Sequence, residues 1–447
     1  MCIFMKDDKS KSKFSSMREK NAVLFLAKIF DGAKQVPHLQ YFIGNGFWMT
    51  LKEGATTLLG VFVSVALARL LTKETYGQYQ LVITIISLFS VFSIPGLNSS
   101  LTRSVARGYD GNYRNSVHIS FWWSLIAVPL LSSLAGYFYI IGNQDVAASF
   151  LISAIFFPFF YAPNTWNAFL VGKQKFNLLT RWNIISVLFQ SFLLVTMAWI
   201  FKNNLIVLVF SYFFSYTIFN YIWYKKSFAL IQTDKKNEED IDYGFFLTKL
   251  STLEIVASYI DKVLVGLLLG PESLAIYTIV SLIAVKIKDL SKVVGQLIFP
   301  KFSTSKKTFV DILYAYQRPW LLFTLSMVAI SGLYYVSIPT LIRLLFSEQY
   351  TPYTYLAQWF TITVVLSFPL AVLAYYVLAK KEKKIIILSR PIFAFIRIVL
   401  NAFAIYFFGL IGAVVAFNLS MLIRLFFFLF GIKYTQPKKG KDECLRI

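Results

Sequence analysis

Long apolar stretches separated by short polar or basic breaks run almost the whole length of this chain. About 20 consecutive apolar residues cross the hydrocarbon core of a bilayer as a helix. Twelve stretches reach roughly that length, at about 47–71, 79–101, 118–141, 146–170, 183–201, 205–224, 243–269, 274–299, 320–345, 354–378, 386–407 and 412–432. The pattern predicts an all-α polytopic membrane protein of about twelve transmembrane helices, with no room for a sizeable soluble domain.

Two of these stretches carry polar residues at helical spacing. In the seventh, Thr248, Ser251, Glu254, Ser258 and Asp261 step by three, three, four and three, which makes one stripe on a helix. In the first, Thr50, Glu53, Thr57, Gly60 and Ser64 do the same. Ionisable groups at membrane depth are expensive and face a bundle interior or a water-filled cavity. The two helices are therefore expected to line a central cavity through which something polar crosses.

The halves of the chain resemble each other. A shift of 198 residues places Leu70 on Leu268, Leu71 on Leu269, Glu74 on Glu272 and Tyr79 on Tyr277. A second match, Pro163…Gly172-Lys173 with Pro369…Ala379-Lys380, has a shift of about 206. Six spans separate the related elements, so both halves have the same orientation. Two parallel six-helix lobes related by a pseudo-two-fold axis along the membrane normal follow. The expected organisation is a basic tail at 1–44, an N-lobe at 45–224, a charged solvated linker at 225–242, a C-lobe at 243–432 and a basic tail at 433–447. Pro158 and Pro163 in the fourth span, Pro339 in the ninth and Pro369 in the tenth are expected to kink or interrupt their helices.

Composition agrees with the pattern: 57% hydrophobic, 18% aromatic, 15% charged and mean hydropathy +0.62. The net charge of +22 is spread over many short loops, which disfavours a nucleic-acid partner. Alternate connections hold about 22 Lys and Arg, while the others hold only Lys73 and Lys202. That bias predicts both termini in the cytoplasm and attraction to anionic membrane lipid. A segment at 23–34 reads either as an interfacial amphipathic helix or as part of a plain tail. No cleavable signal peptide is apparent. Cys2, Cys444, His38 and His118 are isolated, and no metal-ligand spacing, catalytic His/Asp or Ser/His arrangement, or Gly-rich phosphate loop is present. The chain is expected to be neither an enzyme nor a binder of a cofactor.

The remaining chemistry lies in charges at membrane depth. Glu53 follows Lys52 one turn into the first span. In the eighth, Lys286, Asp289, Lys292 and Gln296 share a face. In the eleventh, Arg390, Arg397 and Asn401 step by seven and four, and Arg424 follows Asn418 in the twelfth. The candidate substrate-path or ion-coupling residues are thus Glu53, Glu254, Ser258, Asp261, Lys286, Asp289, Lys292, Arg397, Asn401 and Arg424. Excess positive charge in a bundle interior suits an anionic group such as a phosphate or pyrophosphate. The carboxylates either anchor those cations or bind a coupling H+ or Na+; structural ion pairing is the competing reading.

Leu67–Tyr79 with Ile94-Pro-Gly-Leu-Asn98, and Asp261-Lys262…Gly270-Pro-Glu…Tyr277 with Phe299-Pro300-Lys301, resemble the polysaccharide flippase family. That family belongs to the multidrug/oligosaccharidyl-lipid/polysaccharide exporter superfamily, and the resemblance extends over about 45–430. Its Gly in the Glu-Tyr-Gly turn is kept as Gly77 in the first half and replaced by Ala275 in the second. The resemblance implies a multi-pass protein of the bacterial cytoplasmic membrane. It would move an undecaprenyl-diphosphate-linked oligosaccharide from the inner to the outer leaflet by alternating access, beside a polysaccharide polymerase and export machinery. A cation-coupled multidrug exporter of the same superfamily and a membrane glycan polymerase are the competing expectations.

Overall fold

The computed structural model describes residues 37–304, 309–315, 317–380 and 383–435. The segment at 23–34, Cys2, Cys444 and the end of the C-terminal tail lie outside the described residues, as do the side chains of His38, Gln296 and Lys301. The N-lobe consists of α1 (Pro37–Leu70), α2 (Lys73–Phe89), α3 (Gly96–Ala106), α4 (Asn112–Ser124), α5 (Ala127–Ile140), α6 (Gln144–Tyr161), α7 (Trp166–Gly172), α8 (Phe176–Ile200) and α9 (Leu205–Phe228). The C-lobe consists of α10 (Glu238–Leu268), α11 (Pro271–Thr304), α12 (Phe309–Ala315), α13 (Gln317–Phe346), α14 (Thr354–Trp359), α15 (Thr361–Ala379) and α16 (Lys383–Thr435).

Nine stretches among the described residues are long and apolar enough to cross a membrane. One of them, Ser389–Ile432, contains two spans, because the backbone reverses at Gly409 with φ 58°. Helices α10 and α11, with their stripes of charge, are 31 and 34 residues long and complete the C-lobe. Asparagines start several helices: Asn143, Asn204 and Asn237 each accept a backbone N–H of the first turn, and Glu238, Glu239 and Asp240 follow Asn237.

The core has a polarity along the bundle. At the end bearing the 71–72 and 269–270 turns, one continuous apolar core joins both lobes, with Leu67, Tyr76 and Tyr79 from one and Leu274, Tyr277 and Phe346 from the other. At the opposite end, where the inter-lobe connection lies, each lobe has its own core. Tyr113, Trp166, Phe169 and Trp223 build one, and Phe302, Val372, Tyr376 and Phe428 the other. Helix packing in lipid relies on close contact of small residues rather than on a hydrophobic drive. Gly77 provides that contact at the joined end, since a Cβ there would fall inside the Pro271 carbonyl. The Arg69 guanidinium donates to the carbonyls of Leu344 and Leu345, and the Gln349 amide to that of Ala68. The bundle is sealed at the first of these ends, and at the other the lobes meet where α3 packs on α10: Ile94 and Leu97 share a small core with Ile241, a Cβ on Gly96 would overlap the Gly244 carbonyl, and Arg103 and Arg107 reach Asp240.

The connection between lobes is shorter and more tightly held than a solvated linker over 225–242. Helix α9 runs to Phe228 and α10 starts at Glu238, so only residues 229–237 are non-helical. They are strapped to the 108–112 turn: Asp110 takes Lys173 at 2.6 Å and the Gln232 N–H at 2.8 Å, and Asn112 exchanges two hydrogen bonds with Asn237. Proline positions also differ from expectation. The fourth span breaks at 162–165, around Pro163, but α15 runs through Pro369 and the tenth span breaks at Phe360 instead. A single missing N–H inside a helix is tolerated when neighbours hold the turn.

Candidate functional site

Helices α10, α11, α15 and both arms of α16 enclose a cavity of about 430 Å³ in the C-lobe. Lys288 and Lys292 enter it from α11, and Arg397 and Arg424 from the two arms of α16. Ser258, Ser291, Ser367 and Ser420 line the same space, each hydroxyl donating to a carbonyl of its own helix, and none of the described lining residues is acidic. Its position follows from local packing. Gly295 lets α11 approach α15 so closely that a Cβ would overlap the Tyr375 ring, which lines the cavity. Phe417 supports the cations: Lys288 Nζ and the Arg397 guanidinium each stand 5.0 Å from its ring centroid. Arg424 lies over Phe393 and Phe428.

Asp261 is buried beside this cavity, not exposed in it. Its Oδ2 accepts from Tyr277 Oη at 3.0 Å and pairs with Arg397 Nη2 at 3.1 Å, while Oδ1 has no partner. One carboxylate thus fixes the position of one lumenal guanidinium; Lys292 pairs with Asp289, and Lys288 and Arg424 have no ion-pair partner among the described residues.

The structure divides the remaining candidates. The stripe of α10 meets three environments: Thr248 is buried and accepts the Gly96 N–H across the lobe boundary, Ser258 faces the cavity, and Asp261 is in the lobe core. Glu254 pairs with Arg390 at 3.5 Å, both half-exposed, outside the cavity lining. Asp289 and Lys292 pair at 2.7 Å along α11. Lys286 does not line the cavity. Asn401 is fully buried and donates to the Arg397 carbonyl, so it supports the helix that carries Arg397. Glu53 is exposed and pairs with its neighbour Lys52 at 3.0 Å, far in sequence from any cation of the C-lobe. Lys288, Tyr277 and Tyr375 were not among the predicted site residues. Lys288 sits on the face defined by Ser281, Ala284, Ser291 and Gly295, one step around α11 from the charged face of Lys286 and Asp289.

Residues 42–306 match the family model described as polysaccharide biosynthesis protein. The chain belongs to that family. A Shigella flexneri protein described as a "Putative O-antigen transporter" is 23% identical over 294 residues, covering 59% of this chain and 67% of that one. Among solved structures, the lipid II flippase MurJ in an inward closed conformation aligns with a TM-score of 0.66 at 17% identity, over 86% of this chain and 87% of that one. An inward-facing multidrug-resistance MATE transporter of the MOP superfamily aligns with a TM-score of 0.61 at 12% identity, over 86% and 96%. This member of the family therefore has the two-lobed fold of MOP-superfamily transporters.

Proposed function

We propose that this chain is a flippase that moves a lipid-diphosphate-linked oligosaccharide from the inner to the outer leaflet of the bacterial cytoplasmic membrane, supplying cell-surface polysaccharide synthesis. The observation that carries this reading is the C-lobe cavity, which presents Lys288, Lys292, Arg397 and Arg424 with no acidic residue among its described lining. A diphosphate is the membrane-borne group that such a cluster suits: guanidinium holds phosphate oxygens in a fork and ammonium acts as a point charge. The relationship to a described O-antigen transporter and the fold shared with a lipid II flippase agree with it.

The cycle reads as alternating access. With both termini in the cytoplasm, as the loop charges imply, the end of the bundle with the inter-lobe connection faces inward and the end closed by Gly77 against Pro271 faces outward. The diphosphate enters the cationic cavity and draws on Arg397, which Asp261 holds in its absence. Asp261 then exchanges its cationic partner for H+ or Na+, coupling transport to an ion gradient. A polysaccharide polymerase and export machinery take up the product. A multidrug exporter needs a cavity that attracts organic cations, and four cations repel them.

Deleting the chain and assaying the lipid-linked glycan pool tests the reading. The expected result is accumulation on the cytoplasmic leaflet with loss of surface polymer; an unchanged leaflet distribution, or new sensitivity to cationic drugs as the sole phenotype, overturns it.

A further inference from the structure

The N-lobe holds a second cavity, of about 300 Å³, whose walls come from the first, second, fourth, fifth and sixth spans of its lobe. The cationic cavity is built from the same five spans of the C-lobe, the seventh, eighth, tenth, eleventh and twelfth. The two are counterparts in the pseudo-symmetric fold, yet their chemistry differs completely. Among the described residues, no acidic or basic side chain lines the N-lobe cavity.

Amides and aromatic rings line it instead. Asn167 Nδ2 donates to Asn164 Oδ1 at 2.6 Å, and Asn183 Nδ2 to Asn167 Oδ1 at 2.9 Å, so the three amides form a chain along the wall. Tyr79, Tyr212 and Tyr216 stand together on another wall, with ring centroids 6.2 and 5.2 Å apart in succession. The scaffold beneath is fixed: Asn220 accepts from Trp166 Nε1 and donates to the Phe160 carbonyl freed by the break in the fourth span. Ser186 accepts from Trp223 Nε1, whose ring stacks on Trp182. Of the polar stripe of α1 only Gly60 lines this space, beside Thr56 and Val63 of the adjoining face, and a Cβ on Gly60 would meet nothing within 4 Å.

An amide offers a donor and an acceptor together, as does a tyrosine hydroxyl. Uncharged groups of that kind, placed between aromatic faces in a cavity of small-molecule size, recognise an uncharged polyhydroxylated ligand rather than an ion. We infer that the N-lobe cavity is a sugar subsite, taking a neutral sugar of the glycan whose diphosphate is held in the C-lobe. Each lobe then grips a different part of one amphiphile. The inference rests on the flippase reading for the diphosphate and adds the site that distinguishes the glycan from its bare lipid carrier.

Two lipids separate the claims: the lipid-linked glycan extracted from cells lacking this chain, and undecaprenyl diphosphate. Binding of each to the purified full chain is measured for the unmodified protein, Gly60→Leu, Asn183→Leu and Lys288→Ala. A Cβ at Gly60 meets nothing within 4 Å, so Gly60→Leu projects from open space into the cavity and remains informative where Asn183→Leu fails to fold. The unmodified protein should prefer the glycolipid, and Gly60→Leu should weaken glycolipid binding about ten-fold or more while leaving undecaprenyl diphosphate within about two-fold. Equal affinity of the unmodified protein for both lipids, or undiminished glycolipid affinity in Gly60→Leu, overturns the sugar subsite. Indifference of both lipids to Lys288→Ala overturns the diphosphate reading instead.

Discussion

Asp261 holds Arg397 through one carboxylate oxygen at 3.1 Å and leaves its other oxygen, buried in the lobe, without a partner. Breaking such a pair from the acidic side frees a cation at the cavity wall; breaking it from the basic side strands a buried charge. Removal of one partner of a buried pair typically costs about 3–5 kcal/mol. Arg397→Glu, which sets two carboxylates against each other, is expected to abolish export at normal protein level and insertion. Arg397→Gln should lower the unfolding temperature in detergent, and Asp261→Asn added to it should restore part of the loss. Full export by Arg397→Glu would remove this residue from the substrate path.

Lys288 and Lys286 lie two residues apart on α11, and only Lys288 lines the cavity and stands over Phe417. Lys288→Ala should reduce export about ten-fold or more, the loss of one charge-assisted contact to phosphate. Lys286→Ala should leave it within about two-fold. Initial rates of surface-polymer appearance after induction of each variant compare the two directly.

Gly77 tests the seal. An alanine there must displace the Pro271 backbone, so the joined end cannot close without a shift that costs about 1–3 kcal/mol. Gly77→Ala is expected to slow export by about ten-fold or more, whereas Gly136→Ala, with open space around its Cβ, should not. Accessibility of a cysteine at Ser64 to a membrane-impermeant thiol reagent added outside should rise in Gly77→Ala; unchanged labelling with unchanged export would refute the role of this contact.

The strap at the inter-lobe connection is a matter of stability. Asp110 is buried between Lys173 and the Gln232 N–H, and Lys173 is itself only 14% exposed. Asp110→Ala leaves that ammonium unpaired, for a loss of about 3 kcal/mol or more. A lower melting temperature of the purified protein checks it, and Lys173→Met added to Asp110→Ala should recover stability.

Much of this fold is legible in the sequence because a bilayer restricts the possibilities. Twenty apolar residues in succession have one common outcome, and the repeat at Leu70/Leu268 and Tyr79/Tyr277 shows how the halves correspond. The site was legible only in part. Asp261 and Arg397 stood out because charge at membrane depth is rare, and the structure brings them into contact. Periodicity does not say which neighbour each turn of a helix meets, so the single stripe of α10 divides among an inter-lobe contact at Thr248, the cavity at Ser258 and the lobe core at Asp261. Lys288 was overlooked because charge spacing on α11 favoured the face of Lys286 and Asp289, whereas packing of Gly295 against Tyr375 turns a different face inward. Asn164, Asn167 and Asn183 are uncharged and come from two spans, so only folding brings them together.

The central claim is tested most directly by reconstitution. Purified protein in liposomes loaded with the lipid-linked glycan from deletion cells should expose previously protected glycan to an external glycosidase over time, and liposomes with Arg397→Glu should behave like protein-free ones. Protection that persists with the unmodified protein under an imposed H+ or Na+ gradient, or equal exposure with Arg397→Glu, would contradict a flippase that works through the cationic cavity.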